Sequence, residues 1–556
     1  MATARISALR ITGLALAALL AVPAGASAFC GFYVAGSSES LTNNATMVVM
    51  LREGTTTVLS MQNDYEGPPS AFALIVPVPV VIQEENVRTL PREVFARVDT
   101  LASPRLVEYW EQDPCAVMPD YAGLPMPAPS MARRSGSGGG APGGLGVTVE
   151  AQFEVGEYEI VILSARDSDG LETWLRQEEY NIPEGASASL RPYVEQGTKF
   201  FVARVNVERV TFENGRAVLS PLRVHYESET FALPVRLGLL NSPGTQDLVV
   251  HILSRDGRYE LANYQNVTIP TNLDVADGVR ERFGEFYATL FDLTLERNPG
   301  AVVTEYAWQA TSCDPCPGPV VTMQDLATLG ADVAGALDAP TGGPGVRRGF
   351  PGMGGFFGSS PWVLTRLHYR YGADGLDEDL VFRHADPIVG GREFLQDDGV
   401  LEHGSRPAGD NNFQARYAIR HPWEGAIACE NPVRGRWGGP PGEGRINQGS
   451  GPTSAAQNTA FAPRGNLQLA PMVRTDAPEV GLEAGLTSIA DILSGAATAE
   501  AQEAPPANEE EAAPPLRPAP AADSGGCGGC AVQDREAPWG ALMLLGLLFV
   551  RRARRR

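Results

Sequence analysis

The chain has 556 residues, 43% hydrophobic and 8% aromatic, enough apolar surface to fill the core of two or three average domains. Its 66 acidic residues against 44 basic ones leave a formal charge of -22. That balance excludes nucleic acid as a partner and favours solubility or cations.

At the N-terminus Arg5 and Arg10 precede the apolar run 11–22, and Ala26-Ser27-Ala28 then satisfies the small-x-small rule of signal peptidase. Residues 1–28 read as a signal peptide, with cleavage between Ala28 and Phe29 and signal peptidase as the implied partner. The run is shorter than the roughly 20 residues of a membrane span. A lipoprotein is excluded because Phe29, not a small residue, precedes Cys30.

The first structured segments read as strands, 47–52 and 55–62, turning at Glu53-Gly54. Segment 75–80 is apolar, but Pro77 and Pro79 cannot donate ladder hydrogen bonds, which places it at an edge or in a crossing segment. Residues 86–112 read as helix, broken near Ser103-Pro104. Residues 118–146 are rich in Pro, Met, Gly and Ser and read as a mobile loop.

Asp167, Ser168 and Asp169 are N-cap candidates for a helix with Leu171, Trp174 and Leu175 on one face. Leu190, Tyr193 and Val194 repeat the spacing, and Gly197 ends that helix before a strand over 199–212. Asn214-Gly215 predicts a hairpin into 217–226, and Asp256-Gly257 another between 248–254 and 259–261. Val279, Phe283, Phe286, Tyr287, Leu290 and Phe291 form one helical stripe, read as core. A strand at 301–308 leads to Cys313-Asp314-Pro315-Cys316, residues 330–360 form a second Gly-rich loop, and 362–371 and 380–383 read as paired strands around an acidic turn.

Beyond 430 the chain turns Pro, Ala, Gly and Glu rich, with one short helix near 489–493. Residues 431–536 are expected to be a disordered stalk. Residues 537–556 hold an apolar stretch and an Arg-rich end, read as a transmembrane segment and sorting tail. The fold class expected is α+β: one large, mostly antiparallel β domain over 29–430 with several helices, then the stalk and the C-terminal transmembrane segment.

Five cysteines, Cys30, Cys115, Cys313, Cys316 and Cys429, fall in the expected mature domain, an odd number for an oxidising compartment. They are candidates for structural disulfides, with Cys313 and Cys316 expected to reach distant partners. Redox work at Cys313-x-x-Cys316 is the competing reading, opposed by Pro315, Pro317 and Pro319, which disfavour a helix N-terminus there. No nearby His completes a zinc set. Asp374, Asp377, Glu378 and Asp379 offer oxygens to calcium, but their spacing is not that of an EF-hand, and a solvated acidic turn is the better reading. Gly138 to Gly143 fits G-x-G-x-x-G formally but has no flanking strand and helix. His225, His251, His368, His384, His403 and His421 are scattered, with no zincin, nucleophile-elbow or Walker signature, so a triad could arise only in three dimensions. No cofactor is expected.

The block Tyr158-Glu159-Ile160-Val161-Ile162-Leu163, followed by Leu171, Trp174-Leu175, Tyr180, Tyr193-Val194, Gly197 and Phe200-Phe201-Val202, resembles a secreted family known as domain of unknown function 2330. Cys30-Gly31-Phe32-Tyr33-Val34, Ser220-Pro221-Leu222-Arg223, Pro234-Val235-Arg236-Leu237 and Cys313-Asp314-Pro315-Cys316 extend the resemblance over about 29–430. It implies no catalytic residues. The tail resembles the tripartite MYXO-CTERM sorting signals of myxobacteria: Cys527 and Cys530 among glycines, the apolar stretch 537–550, then Arg551, Arg552, Arg554, Arg555 and Arg556. This resemblance implies a sorting protease, a membrane encounter, and transfer to the cell envelope or its surface. The stretch makes only about 21 Å of helix against a hydrocarbon core of roughly 30 Å, a weak permanent anchor. The function expected is a non-catalytic binding or presentation role with an unspecified ligand. The alternative is a surface hydrolase or a thiol-disulfide oxidoreductase using Cys313 and Cys316.

Overall fold

A computed structural model describes residues 32–35, 46–62, 72–116, 147–178, 180, 182, 186–213, 216–241, 245–335, 362–372, 375–392, 402–441, 453–455, 468–475 and 477. Two sheets stack in the middle of this region and helices cover both outer faces. The five-stranded sheet runs Phe32–Ala35, Phe72–Val78, Lys199–Val205, Tyr158–Ala165, Val147–Val155, antiparallel throughout. The eleven-stranded sheet has at its centre Val302–Gln309, Val363–Tyr371, Gln246–Ser254, Thr46–Glu53, Thr56–Gln62 and Leu222–Glu227.

Strand alternation explains the layers. Phe201 and Ala203 point between the sheets, joining Val48, Met50, Val250, Ile252 and Leu367, while Phe200 and Val202 point outward. There they meet Leu171 and Leu175 of helix α2 (Ser168–Gln177) and Leu190 and Tyr193 of α3 (Ala186–Glu195). With both faces covered, such strands read as continuous apolar runs. The outer face of the larger sheet is covered by α1 (Arg92–Ala102), through Val94, Phe95, Val98 and Leu101, and by α4 (Phe283–Arg297), through the predicted aromatic stripe.

Several predicted elements form as read. The Glu53-Gly54 turn joins antiparallel strands, with Gly54 at φ +56°. Asp167 caps α2 by accepting from the Gly170 amide, and Gly197, at φ +71°, follows α3. Pro77, expected at an edge or in a crossing segment, instead sits in a strand with neighbours on both sides, opposite Phe200, although the short neighbour 32–35 pairs only as far as Ile75.

Others differ. Of the helix expected over 86–112 only Arg92–Ala102 forms: it ends at the expected break, but Val87–Thr89 is a strand, and Arg105–Glu111 is a strand parallel to Arg416–His421. Val107, Tyr109 and Trp110 suit a pleated surface, and that remote partner decides the outcome. The 248–261 hairpin does not form: Gln246–Ser254 lies between Thr46–Glu53 and Val363–Tyr371, whereas Arg258–Leu261 pairs with Leu380–Ala385 in a three-stranded sheet. The expected pairing of 362–371 with 380–383 is lost for the same reason. Parallel pairs also join Gln246–Ser254 to Thr46–Glu53 and Asn266–Thr268 to 302–304.

The fold therefore corrects to a mixed α/β domain of several sheets and helices. The boundary expected at 430 is crossed: Trp437–Gly438 and Thr453–Ala455 pair with Arg105–Glu111, and Leu469, Met472, Val473 and Ala477 are buried against the α4 cluster. No helix among the described residues is long and apolar enough to cross a membrane. No membrane span is therefore shown for this chain, against the expected transmembrane segment and membrane-anchored envelope location; residues 537–556 themselves lie outside the described residues. Residues 1–28, Phe29, Cys30, Asp374, the loops 118–146 and 336–360, the helix near 489–493, Cys527, Cys530 and the arginines of 551–556 lie outside the described residues.

Candidate functional site

Among the described residues, the densest convergence of titratable side chains lies between the eleven-stranded sheet and helices α1 and α4. It begins with a β-bulge. The 302–309 strand pairs Thr304 with Leu367 and Tyr306 with Arg366, leaving Glu305 as the extra residue. A bulge turns two successive side chains to one face. Glu305 thus joins Tyr306 on the helix side, where Arg366, His368 and Arg370 alternate along the neighbouring strand.

Arg366, fully buried, donates from Nε to Glu305 Oε2 at 2.5 Å and from Nη1 to Asp99 of α1, with Ser103 Oγ at 3.4 Å and His251 Nε2 at 3.2 Å from the same nitrogen. Glu305 Oε1 also accepts from Tyr287 Oη of α4 and from His368 Nδ1 at 2.8 Å. His368 Nε2 comes within 3.3 Å of Asp247 without the alignment of a hydrogen bond. Asp247 and Asp292 both pair with Arg370. Phe291 stacks on His368 with centroids 3.8 Å apart, and the Arg370 guanidinium lies 5.0 Å from the same ring.

The electrostatics follow from this arrangement. Burial pushes the Glu305 carboxyl up, but His368 and Arg366 outweigh it and hold the group down at about 2. Burial alone would discharge His368, yet Glu305 and Asp247 raise it above the ordinary imidazole value. His251 has the opposite fate: burial, then the adjacent Arg366 charge, lowers it to about 3, so it stays neutral and accepts from Arg366 at Nε2. Burial and the Glu305 charge raise the Tyr287 phenol well above its usual range. Asp99, Glu305, Arg366, His368, His251 and Tyr287 are each at most 5% exposed. A paired, hydrogen-bonded and covered cluster of this kind pins α1 and α4 to the sheet.

The remaining predicted residues disperse. Asp379 accepts from Tyr193 Oη, from the amides of Val235 and Arg236 and from the Arg236 guanidinium, while Glu378 contacts Asn263 and Tyr264. Asp379 thus fastens α3 to its neighbours, and the reading of this turn as a merely solvated one is corrected. No cluster of three His, Cys, Asp or Glu suited to a metal occurs among the described residues. His225 meets Asn86, His384 the carbonyl of Asp256, His403 that of Thr271, and His421 the Glu108 carboxylate.

Cys115 bonds to Cys429 across 314 positions, whereas Cys313 bonds to Cys316, correcting the expectation of distant partners for that pair. Their Cα atoms lie 5.0 Å apart, within ordinary bridging range. By loop-closure entropy the long bridge contributes roughly 5–6 kcal/mol and the short one about 2 kcal/mol. No helix begins at Cys313.

Sequence reading missed Glu305, Arg366, Asp99 and Tyr287 as a group. The available signal was an acidic residue inside the apolar run Val302–Gln309 and the Arg366, His368, Arg370 alternation. Period-two polarity ordinarily marks a solvated face, and here that face is covered by helices.

A family model described as "Uncharacterized protein conserved in bacteria (DUF2330)" matches residues 23–383. The chain belongs to the DUF2330 family. The match begins before and ends earlier than the expected 29–430, and it contains the whole Glu305–Arg366–His368 cluster and the Cys313–Cys316 loop of this DUF2330 chain, but not Cys429. No curated protein and no solved structure matches it.

Proposed function

We propose that this DUF2330 chain is a non-catalytic binding protein of an oxidising compartment. The observation that carries the reading is the sealing of its acid, base and guanidinium groups beneath α1 and α4, where they neutralise one another instead of facing a substrate. The two disulfides support an oxidising location. Within this reading signal peptidase cuts before Phe29, and a sorting protease removes the tail that carries Cys527 and Cys530. A fluorophosphonate probe and a panel of chromogenic esters and glycosides test the non-catalytic part. The expected result is neither labelling nor turnover. Labelling of one serine that disappears after heat denaturation would overturn it. Mass spectrometry of the mature protein, expected to begin at Phe29, tests the processing.

A further inference from the structure

The Cys313–Cys316 bridge encloses only Asp314 and Pro315, and the shape of that loop is held by other groups. Arg105 donates from Nη1 to the Pro315 carbonyl at 3.0 Å, and Gln414 donates from Nε2 to the Asp314 carbonyl at 3.1 Å. Arg392 pairs with the Asp314 carboxylate while its guanidinium lies 4.8 Å from the Trp308 ring. None of these contacts runs through a sulfur atom, so opening the bridge does not itself remove any of them. Cys316 is the exposed member of the pair, and Cys313 is half-buried against the α1 cluster.

Arg105 is the unusual neighbour. It is fully buried, its hydrogen bonds go to the Leu101 and Pro315 carbonyls, its Nε has no partner, and it forms no ion pair among the described residues. Burial lowers its pKa, Tyr306, whose ring lies 5.5 Å from the guanidinium, works against that, and Arg416 adds repulsion; the value settles at about 10, so Arg105 is charged at neutral pH. An unneutralised buried cation beside a cysteine loop is a ready counter-ion for a thiolate, doing the work a helix N-terminus does elsewhere.

We propose that Cys313–Cys316 is a thiol-disulfide exchange site for a dithiol, with Cys316 the sulfur attacked and Cys313 the leaving thiolate held by the Arg105 charge. One thiolate of the dithiol attacks Cys316 Sγ, forming a mixed disulfide as the Cys313–Cys316 bond breaks and Cys313 takes the electron pair. The second thiolate of the dithiol then attacks its own molecule's sulfur in the mixed disulfide, and the dithiol leaves as an intramolecular disulfide. Cys316 departs as a thiolate and is protonated by solvent. Two electrons pass from the dithiol to the protein. This site is separate from the sealed cluster, so the two readings are tested apart: exchange here would confine the non-catalytic reading to the sealed cluster, and failure here leaves that reading as it stands.

The test uses the full oxidised chain. Dithiothreitol at pH 7, followed by alkylation and peptide mapping, is expected to open Cys313–Cys316 at concentrations that leave Cys115–Cys429 closed, with near-ultraviolet circular dichroism unchanged. In Cys316→Ser, the rate of iodoacetamide alkylation of Cys313 against pH should give a pKa at least one unit below the free-thiol value of roughly 8.5, about an eightfold larger thiolate fraction at pH 7. Arg105→Lys should keep that profile and Arg105→Met should move it back up. If Arg105→Met does not fold, the Cys316→Ser profile decides alone. Simultaneous reduction of both bridges, loss of tertiary signal on opening the short one, or a Cys313 pKa at or above the free-thiol value overturns the proposal.

Discussion

Replacing Arg366 by methionine tests the central cluster most directly. The Arg366 side chain is 1% exposed and lies against Asp99 and Glu305, whose side chains are 7% and 0% exposed. Methionine fills much of the volume, but it takes the guanidinium away from two buried carboxylates, Asp99 and Glu305, and leaves His368 paired with Glu305. Removing one partner of a buried pair costs about 3–5 kcal/mol. An independent route gives a similar size. Glu305 is held from 4.5 down to about 2 against the opposing effect of its burial, and at roughly 1.4 kcal/mol per unit that net shift is about 3 kcal/mol, with His368 and Arg366 its main sources. Guanidinium unfolding at pH 7, followed by circular dichroism, should show a loss of about 3–5 kcal/mol. Adding Glu305→Gln should cost at least about 1 kcal/mol less than the sum of the two single changes, because it removes one stranded charge. A single-variant loss below about 1 kcal/mol, or strict additivity, would refute the reading of this cluster as the fastening between sheet and helices.

His251 and His368 give the fold opposite pH dependences. His251 is depressed from 6.5 to about 3, so its contribution is whole above about pH 6.5 and is lost as pH falls toward 3, to a ceiling of about 4–5 kcal/mol. His368 is raised, so its contribution is whole below pH 6.5 and is lost as pH rises through its folded value. His251→Asn should flatten the acid arm of a stability-pH curve and leave the alkaline arm, while an unchanged acid arm argues against a neutral buried His251. Gly330 sits at φ +125°, and a Cβ there would come 2.6 Å from Val58 Cγ2. Gly330→Ala should therefore cost more than about 2 kcal/mol in urea, combining strain with overpacking. Asp379→Asn, which weakens the clasp on Tyr193 and Arg236, should cost about 1–3 kcal/mol. Millimolar calcium should leave the melting temperature of the parent within a degree, and a larger rise would restore Asp377 and Asp379 as ligands. Cys115→Ser with Cys429→Ser should cost up to the roughly 5–6 kcal/mol of the loop-closure value, less whatever structure the unfolded chain retains, and a thermal melt indistinguishable from the parent would contradict a structural role for that bridge.

What could be read from the sequence was local. The aromatic stripe of α4 repeats at helical spacing, and Gly54 and Gly197 occupy positions where a left-handed backbone follows a strand or a helix. What escaped depends on partners far along the chain. Arg105–Glu111 becomes a strand because Arg416–His421 lies beside it, and Gln246–Ser254 leaves its neighbour 258–261 because Thr46–Glu53 and Val363–Tyr371 bracket it. The site escaped for a related reason. Nothing local to the Arg366, His368, Arg370 alternation says that two helices will cover it, and nothing local to Glu305 says that the ladder will skip a residue there.

The Cys115–Cys429 bond has a consequence for how the molecule comes apart. It joins positions just beyond the ends of two adjacent parallel strands, Arg105–Glu111 and Arg416–His421, and so closes residues 115–429 into a covalent ring. The central strands Gln246–Ser254, Val302–Gln309 and Val363–Tyr371 lie inside the ring, while Thr46–Glu53 and Thr56–Gln62 belong to the arm that enters it. A protease that cuts any single bond within the ring makes a nick and releases nothing. The protein would run as one species without reductant and as two with it, so the damage stays hidden until the bridge is opened.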